Sequence, residues 1–389
     1  MSEIRVTNVL GENGNSPVNF TKGINMSGIV TATSFVPSQG QLSHRNIIIN
    51  GAMNVAQRGT SSTSAQYQTV DRFKFTASGA DELPSQAQVD VASGTTPYTL
   101  GFRKAYKITN GNQTSGAGAS DNVLLDYRME SQDIASSGWN YKSASSFITL
   151  SFWVKSSVAQ EFHGFLLSQT GGQYLYSFSL GSLSANTWTK VTKTIPGNSN
   201  LNFDNSNLEG LLIRIALFQG TNKTGTITQN QWAAFNGSIR YPNYTSTWYT
   251  TNDATFEYTG VQLEVGPVAT PFEHRSFGDE LRRCQRYYFG DAGSGLIGFG
   301  RINSQSMMFS IQFPTEMRLN PSMSLTTTGA LTIAEPGESN FYPSSCTIAE
   351  AHGGTKSKAF YINSTTNNSV TKGDNVFLTA NYLKFDAEL

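Results

Sequence analysis

The sequence predicts an all-β protein made of an N-terminal extended arm, a jelly-roll β-sandwich, a short connecting α-helix and a smaller C-terminal β-sandwich. Three observations lead there. Large apolar side chains recur with a period of two in one segment after another, as expected of strands with one buried face. Only 14% of the residues are charged while 36 are glycine, and Ser, Thr and Asn recur throughout, a balance that suits short strands joined by polar turns. A helical period occurs only between residues 276 and 289. At 389 residues the chain also exceeds one ordinary core, so more than one is expected.

Residues 1–45 carry small apolar groups such as Ile4, Val6 and Val9, then Val18 and Phe20, separated by Gly- and Asn-rich turns. So few large side chains cannot offset the entropy of ordering the segment alone, so it reads as an arm completed by other chains. Residues 46–275 form the first β domain. Phe73 and Phe75, then Tyr106 and Ile108, then Phe152 and Val154, then Tyr176 and Phe178 alternate, with Trp153 on the face opposite Phe152 and Lys155 ending its run. Trp188, Val191 and Ile195 mark the next strand. The run LLIRIALF at 211–218 reads as a central strand buried on both sides, Arg214 excepted. Val261, Leu263 and Val265 alternate with Gln262 and Glu264 and predict one buried face for the closing strand.

Pro267 and Pro271 then break the ladder, and Ser276 offers an N-cap before Asp279 and Glu280. A connector helix of about three turns is expected over 276–289. Its charges, with Glu273, Arg275, Arg282, Arg283 and Arg286, read as structural rather than ligand-binding. Residues 290–389 form the smaller β domain, with Met307, Phe309, Ile311, Met323, Leu325, Phe377, Leu378, Leu383 and Phe385 as core candidates.

Composition excludes several classes. Lys plus Arg and Asp plus Glu are 27 each, so no cationic surplus argues for nucleic acid. No window approaches the ~18 apolar residues of a membrane span, and no leader pattern opens the chain, so synthesis in a cytoplasm without membrane insertion is expected. Cys284 and Cys346 are too few for a disulfide scaffold and read as free thiols.

Five stretches carry a resemblance. NIIINGAMNVAQRGT at 46–60, VDRF at 70–73, SFWVKSS at 151–157, VQLEVGPVATPFEHRSFGDELRRCQRYY at 261–288 and YLKFDAEL at 382–389 resemble segments of tailed-bacteriophage tail-fibre and receptor-binding proteins. The resemblance implies a homotrimeric virion tail fibre made in the bacterial host. Its arm would dock on another tail protein, and its jelly roll, resembling carbohydrate-binding modules, would attach the phage to host surface polysaccharide. A structural fibre or tail-tip component that binds no receptor is the alternative, and a depolymerase is the third reading.

Catalytic signals are weak. No nucleophile elbow, zinc motif, phosphate loop or dinucleotide fingerprint occurs, so no catalytic residue, cofactor or metal is assigned. Glu161 with His163 and Glu350 with His352 read as polar surface pairs, since two ligands do not hold a metal. Asp121 with Asp126, or Glu130 with Asp133, are carboxylate pairs of the kind glycosidases need. Binding fits better. The segment 239–255 places Tyr241, Tyr244, Trp248 and Tyr249 among Asn252, Asp253 and hydroxyl residues, without apolar alternation. Aromatic faces stack on sugar C–H faces while amides bond hydroxyls, so these six are the candidate glycan-binding residues; the competing reading has the rings cap the sandwich edge or fill an interface. Polar loops at 110–122, 351–358 and 363–372 are further binding candidates.

Overall fold

The computed structural model describes residues 43–290, 296–299, 306–325, 332–334, 346–364, 377–379 and 383–389. The arm expected over 1–45 lies outside them except for its last three residues. Among the described residues no helix is long and apolar enough to cross a membrane.

The first β domain is a sandwich of two six-stranded antiparallel sheets. In chain order its strands are β1 (Ser61–Ser62), β2 (Phe73–Ser78), β3 (Ser85–Asp90), β4 (Lys104–Thr109), β5 (Asn122–Glu130) and β6 (Phe147–Ser156). They continue with β7 (Gln160–Ser168), β8 (Tyr174–Leu183), β9 (Thr189–Pro196), β10 (Glu209–Gln219), β11 (Trp232–Ala234) and β12 (Thr255–Val265). Single-turn helices α1 (Thr96–Thr99), α2 (Ser131–Ala135) and α3 (Thr247–Thr250) interrupt them. One sheet runs β1-β3-β4-β12-β6-β9 and the other β11-β8-β7-β10-β5-β2. Their inner faces pack Phe73, Tyr106, Tyr127, Phe152, Phe162, Ile213, Phe256 and Tyr258 into one core. Burying each such ring or aliphatic group contributes about 1.5–3 kcal/mol against the entropy of ordering the chain.

The apolar run 211–218 is the middle of β10, which lies between β7 and β5 as expected of a strand buried on both faces. Arg214 is tolerated there because it spans both carboxylate oxygens of Asp126 at 2.5 Å. The expected one-faced burial of β12 does not hold. Gln262 and Glu264 are buried too, because the chain after Gly266 folds back over that face. Glu264 accepts the N–H and hydroxyl of Thr270, and Gln262 Oε1 accepts the Glu273 N–H. Polar residues on the alternate positions are therefore a covered hydrogen-bonding layer, not a solvent face.

Helix α4 (Phe277–Gln285) starts as predicted, with the Ser276 hydroxyl accepting the Asp279 N–H at 3.2 Å. It stops at Gln285 rather than running to 289, because Tyr288–Gly290 is a strand, β13, hydrogen-bonded to the chain's final strand. The remaining strands are β14 (Leu296–Phe299), β15 (Ser306–Gln312), β16 (Ser322–Leu325), β17 (Thr332–Ala334), β18 (Cys346–Gly353), β19 (Ser357–Ser364), β20 (Phe377–Thr379) and β21 (Leu383–Asp386). They form three antiparallel sheets, ordered β13-β21-β16, β14-β20-β17 and β15-β19-β18. Phe309, Ile311, Phe313, Phe360, Leu383 and Phe385 share a second, smaller core. The side chains of Met307, Leu325, Phe377 and Leu378 lie outside the described ones.

The described residues fall within one compact unit, and a buried charge knot ties the last strand to the sandwich. Arg72 lies over the Tyr287 ring at 3.4 Å and pairs with Glu388, and Arg58 lies over Tyr288 at 3.6 Å and pairs with Asp386 and Glu388. Asp71 takes the backbone N–H of Gln57, and burial pushes its carboxyl up to about 6 against the pull of Arg58. Residues of the stretches 46–60, 70–73, 261–288 and 382–389 thus meet at one joint.

Candidate functional site

The aromatic residues of 239–255 do not form a surface platform. Trp248 is 0% exposed and Tyr241 and Tyr249 are each 1% exposed. Tyr249 stacks on Phe218 at 4.3 Å between centroids, and its hydroxyl donates to Asp121. Trp248 donates its indole N–H to Thr255 O. Tyr241 lies on Phe165, covering the outer face of the second sheet. Tyr244 is half-buried, and its hydroxyl accepts the His163 N–H and donates to Ala216 O where β7 and β10 each carry a register irregularity. Trp248, Tyr241 and Tyr249 are too enclosed to meet a sugar face and cap the sandwich edge, while Tyr244, half-buried, has its hydroxyl committed to the His163 and Ala216 backbone. Asn252 and Asp253 are exposed, with Asp253 in the left-handed region at φ 56°, on the turn leading to β12.

The loop at 110–122 is tied down rather than free. Asn110 donates to Tyr249 O, Gln113 donates to Glu82 O, and Ser115 donates to Asp81. Residues 351–358 are mostly paired strand, being the ends of β18 and β19 around a short turn. The third loop, 363–372, falls outside the described residues from 365 onward.

An uncovered aromatic face does exist, on the outer side of the first sheet. Because side chains alternate along β6, Phe152 and Val154 fill the core while Trp153 and Lys155 point the other way. Across the sheet, Lys107 of β4, Glu257 of β12 and Lys155 of β6 stand in one row, and Trp188 precedes β9 beside them. In the next row Thr259, Trp153 and Lys190 are neighbours. Both indoles are half-buried, resting on Phe102, Ala105 and Val91. Lys155 Nζ is 2.9 Å from Glu257 Oε1 and 5.2 Å from the Trp188 ring, a cation lying over an aromatic face. The result is two fixed indoles beside an ammonium donor and a carboxylate acceptor, on a rigid sheet. Sequence alternation had already placed Trp153 on the face opposite Phe152, with Lys155 read only as the end of that run. Trp188 read only as a marker of the next strand, although its even spacing from Lys190 puts it on the same side.

The carboxylates that could have served catalysis are committed elsewhere. Burial opposes ionisation of Glu130, but bonds from Arg286 at 2.9 and 2.8 Å and from the Tyr287 hydroxyl at 2.6 Å outweigh it and hold the carboxyl below its usual range. Asp133 lines a cleft of about 330 Å³ with His44, Arg45, Arg283 and Arg286. Burial and the neighbouring Glu130 push its carboxyl up to about 6. Glu130 is 0% exposed and does not line that cleft, so the two cannot flank one bond. Asp126 is saturated by Arg214, and Asp121 accepts from Gly118 and Tyr249. His163 meets Gln229 and has its imidazole held below the usual range by burial, while Glu161 accepts from Ser179. Glu350 pairs with Lys358 at 2.8 Å. Among the described residues no three His, Cys, Asp or Glu side chains converge as metal ligands.

No protein-family model matches the chain, and no curated protein matches it in sequence. Among solved structures it is similar to the enzymatically active domain of tailspike protein 4 from bacteriophage CBA120, at 10% identity and a TM-score of 0.31. That match covers 57% of this chain and 21% of that one. It is also similar to a family 11 carbohydrate-binding module from Clostridium thermocellum, at 10% identity and a TM-score of 0.26, covering 54% of this chain and 98% of that chain. A third is the N-terminal cellulose-binding domain of β-1,4-glucanase C from Cellulomonas fimi, at 11% identity and a TM-score of 0.25, covering 56% and 99%. At these scores the likeness is a partial overlap of β-sandwiches.

Proposed function

We propose that this protein is a glycan-binding virion fibre component that attaches a phage to polysaccharide on its host without cleaving it. The observation that carries the binding reading is the Trp153–Trp188 face with its Lys155–Glu257 pair on the outer side of the first sheet. Fixed indoles accept pyranose C–H faces at low entropic cost, and the flanking ions supply a donor and an acceptor for hydroxyls. The phage setting is supported by the stretches quoted above, as are a homotrimer and an arm over 1–45 docked on a tail protein. Three copies per fibre would multiply weak contacts into firm adsorption.

The test is retention of the purified chain on host cells and on an immobilised host polysaccharide. Trp188→Ala lowers apparent affinity about tenfold, the scale of one lost contact worth about 1.4 kcal/mol, while folding is unchanged by circular dichroism. Retention by the variant equal to the parent removes this face as the site. A variant whose oligomeric mass drops while glycan retention persists makes the face a subunit interface instead. New reducing ends released from the polysaccharide would overturn the non-cleaving reading.

A further inference from the structure

The outer face of the second sheet carries a different chemistry. Beyond the part covered by Tyr241 and Phe235, side chains of β2, β5 and β10 build a charged strip. Lys74, Asp126 and Arg214 are register partners in one row, and Phe165 under Tyr241 continues it. Lys74 and Phe165 therefore stand three strands apart, ~14 Å. Arg128 reaches Glu209 at 2.6 Å and Asp126 at 3.4 Å. Glu209 also accepts from Gln169, which in turn accepts from Gln173, so two amides extend the strip.

The charges do not balance. Asp126 and Glu209 face three cations, Lys74, Arg128 and Arg214, and a fourth, Arg240, adjoins the strip beside Arg214 and Tyr241. Among the described residues Lys74 and Arg240 have no ion pair. Their nearest aromatic faces are Tyr67 at 5.5 Å and Phe235 at 5.3 Å. The Nε atoms of Arg128 and Arg240 are buried without an acceptor. Glu388 is already taken by Arg58 and Arg72. Burial, and then Arg128 for Lys74 and Arg214 for Arg240, hold both free cations below their usual basicity, which is the condition an added anion would relieve. An excess of fixed, half-buried cations beside neutral amides suits a ligand bearing both anionic groups and hydroxyls.

We infer that this strip, from Lys74 across Arg214 to Arg240, is a second saccharide-binding surface selective for sugars bearing carboxylate or phosphate. It lies on the opposite sheet from the tryptophan face and does not depend on it.

The experiment is calorimetric titration of the full chain with hexagalacturonate for the carboxylate source, a glycerol-phosphate oligomer for the phosphate source, and a neutral hexasaccharide as control. At least one anion binds more tightly than the control, and that affinity falls as salt is raised from 50 to 300 mM, since screening weakens exposed charge contacts. Lys74→Gln and Arg240→Gln each weaken it about fivefold, Lys74→Arg retains it, and Trp188→Ala leaves it unchanged. Equal binding of all three probes, or affinity that ignores both salt and these substitutions, overturns the inference. The salt series needs no variant, so a misfolded variant does not protect the idea. A roughly tenfold drop in neutral-glycan affinity in Trp188→Ala with anion binding intact separates this surface from the first.

Discussion

Replacing Glu388 by alanine tests the joint between the sandwich and the last strand. Arg72 is 1% exposed and Glu388 5% exposed, and among the described residues Glu388 is the only carboxylate that Arg72 reaches in an ion pair. Once it is gone, Arg72 retains the Tyr287 face and one bond to Arg128 O at 2.6 Å, with its Nε already without an acceptor. Arg58 loses less, since Asp386 at 3.0 Å and Asp71 at 3.8 Å remain. Leaving one buried cation uncompensated costs about 3–5 kcal/mol, a large share of the 5–15 kcal/mol that holds a typical domain together. Arg72 is also fixed at φ 73°, a left-handed backbone that its buried side chain must help to retain. Urea unfolding followed by the fluorescence of the buried Trp139 and Trp248 reads the loss directly. The double variant Arg72→Met with Glu388→Leu removes both charges and should recover most of the stability, because a buried ion pair repays little beyond its own desolvation. A loss below about 1 kcal/mol in Glu388→Ala, or a double variant no better than the single, refutes the reasoning.

Three further outcomes follow from named contacts. Asp133 titrates near 6 in the folded chain, above the ~3.9 of an unfolded aspartate, so the folded state holds the extra proton between those values. Its contribution is greatest below about pH 4 and is lost as pH rises through 6; Asp133→Asn should therefore match the parent near pH 4 and exceed it by roughly 1–3 kcal/mol at pH 7.5, and parallel stability curves would count against the assignment. A Cβ on Gly51 would lie 2.1 Å from Val261 O, a backbone atom that cannot give way, so Gly51→Ala should cost about 2 kcal/mol or more. Gly94→Ala, with open space around it and φ +81°, should lose only the ~1 kcal/mol of left-handed strain; equal thermal shifts in the two variants would sink the steric account. Ser276→Ala should lose about 1 kcal/mol with the cap on Asp279 N–H, and Ser276→Asp should restore it in the same urea assay.

Strands were legible wherever alternation is local. Leu211 to Phe218 read as a central strand, and the charge that seemed out of place there, Arg214, has its partner directly opposite in β5. The helix start at Ser276 was legible from one cap residue, whereas its end was not. Nothing near Tyr288 announces a strand partner almost a hundred residues away at Asp386. The site went wrong for a related reason. A stretch such as 239–255, aromatic and without a period, looks the same whether its rings face water or fold down onto a sheet, and the sheet that received Tyr241 lies elsewhere in the sequence. Trp153 carried the better signal, an aromatic on the outward parity of a regular strand. Its neighbours Trp188 and Glu257 are brought to it only by strand order.

The charge knot has a consequence for how the chain reaches this state. Arg72 and its carboxylate are 316 positions apart, and Arg58 and the same carboxylate 330. Ribosomes deliver ~5–20 residues per second, so a sandwich complete at Val265 still waits roughly 6–25 seconds for Glu388, the carboxylate that Arg58 and Arg72 share. During that interval Arg72 lacks its Glu388 partner, so its charge stays uncompensated until the last residues arrive. Closure of the knot therefore has to wait for the last strand, in whatever order the sandwich strands pair.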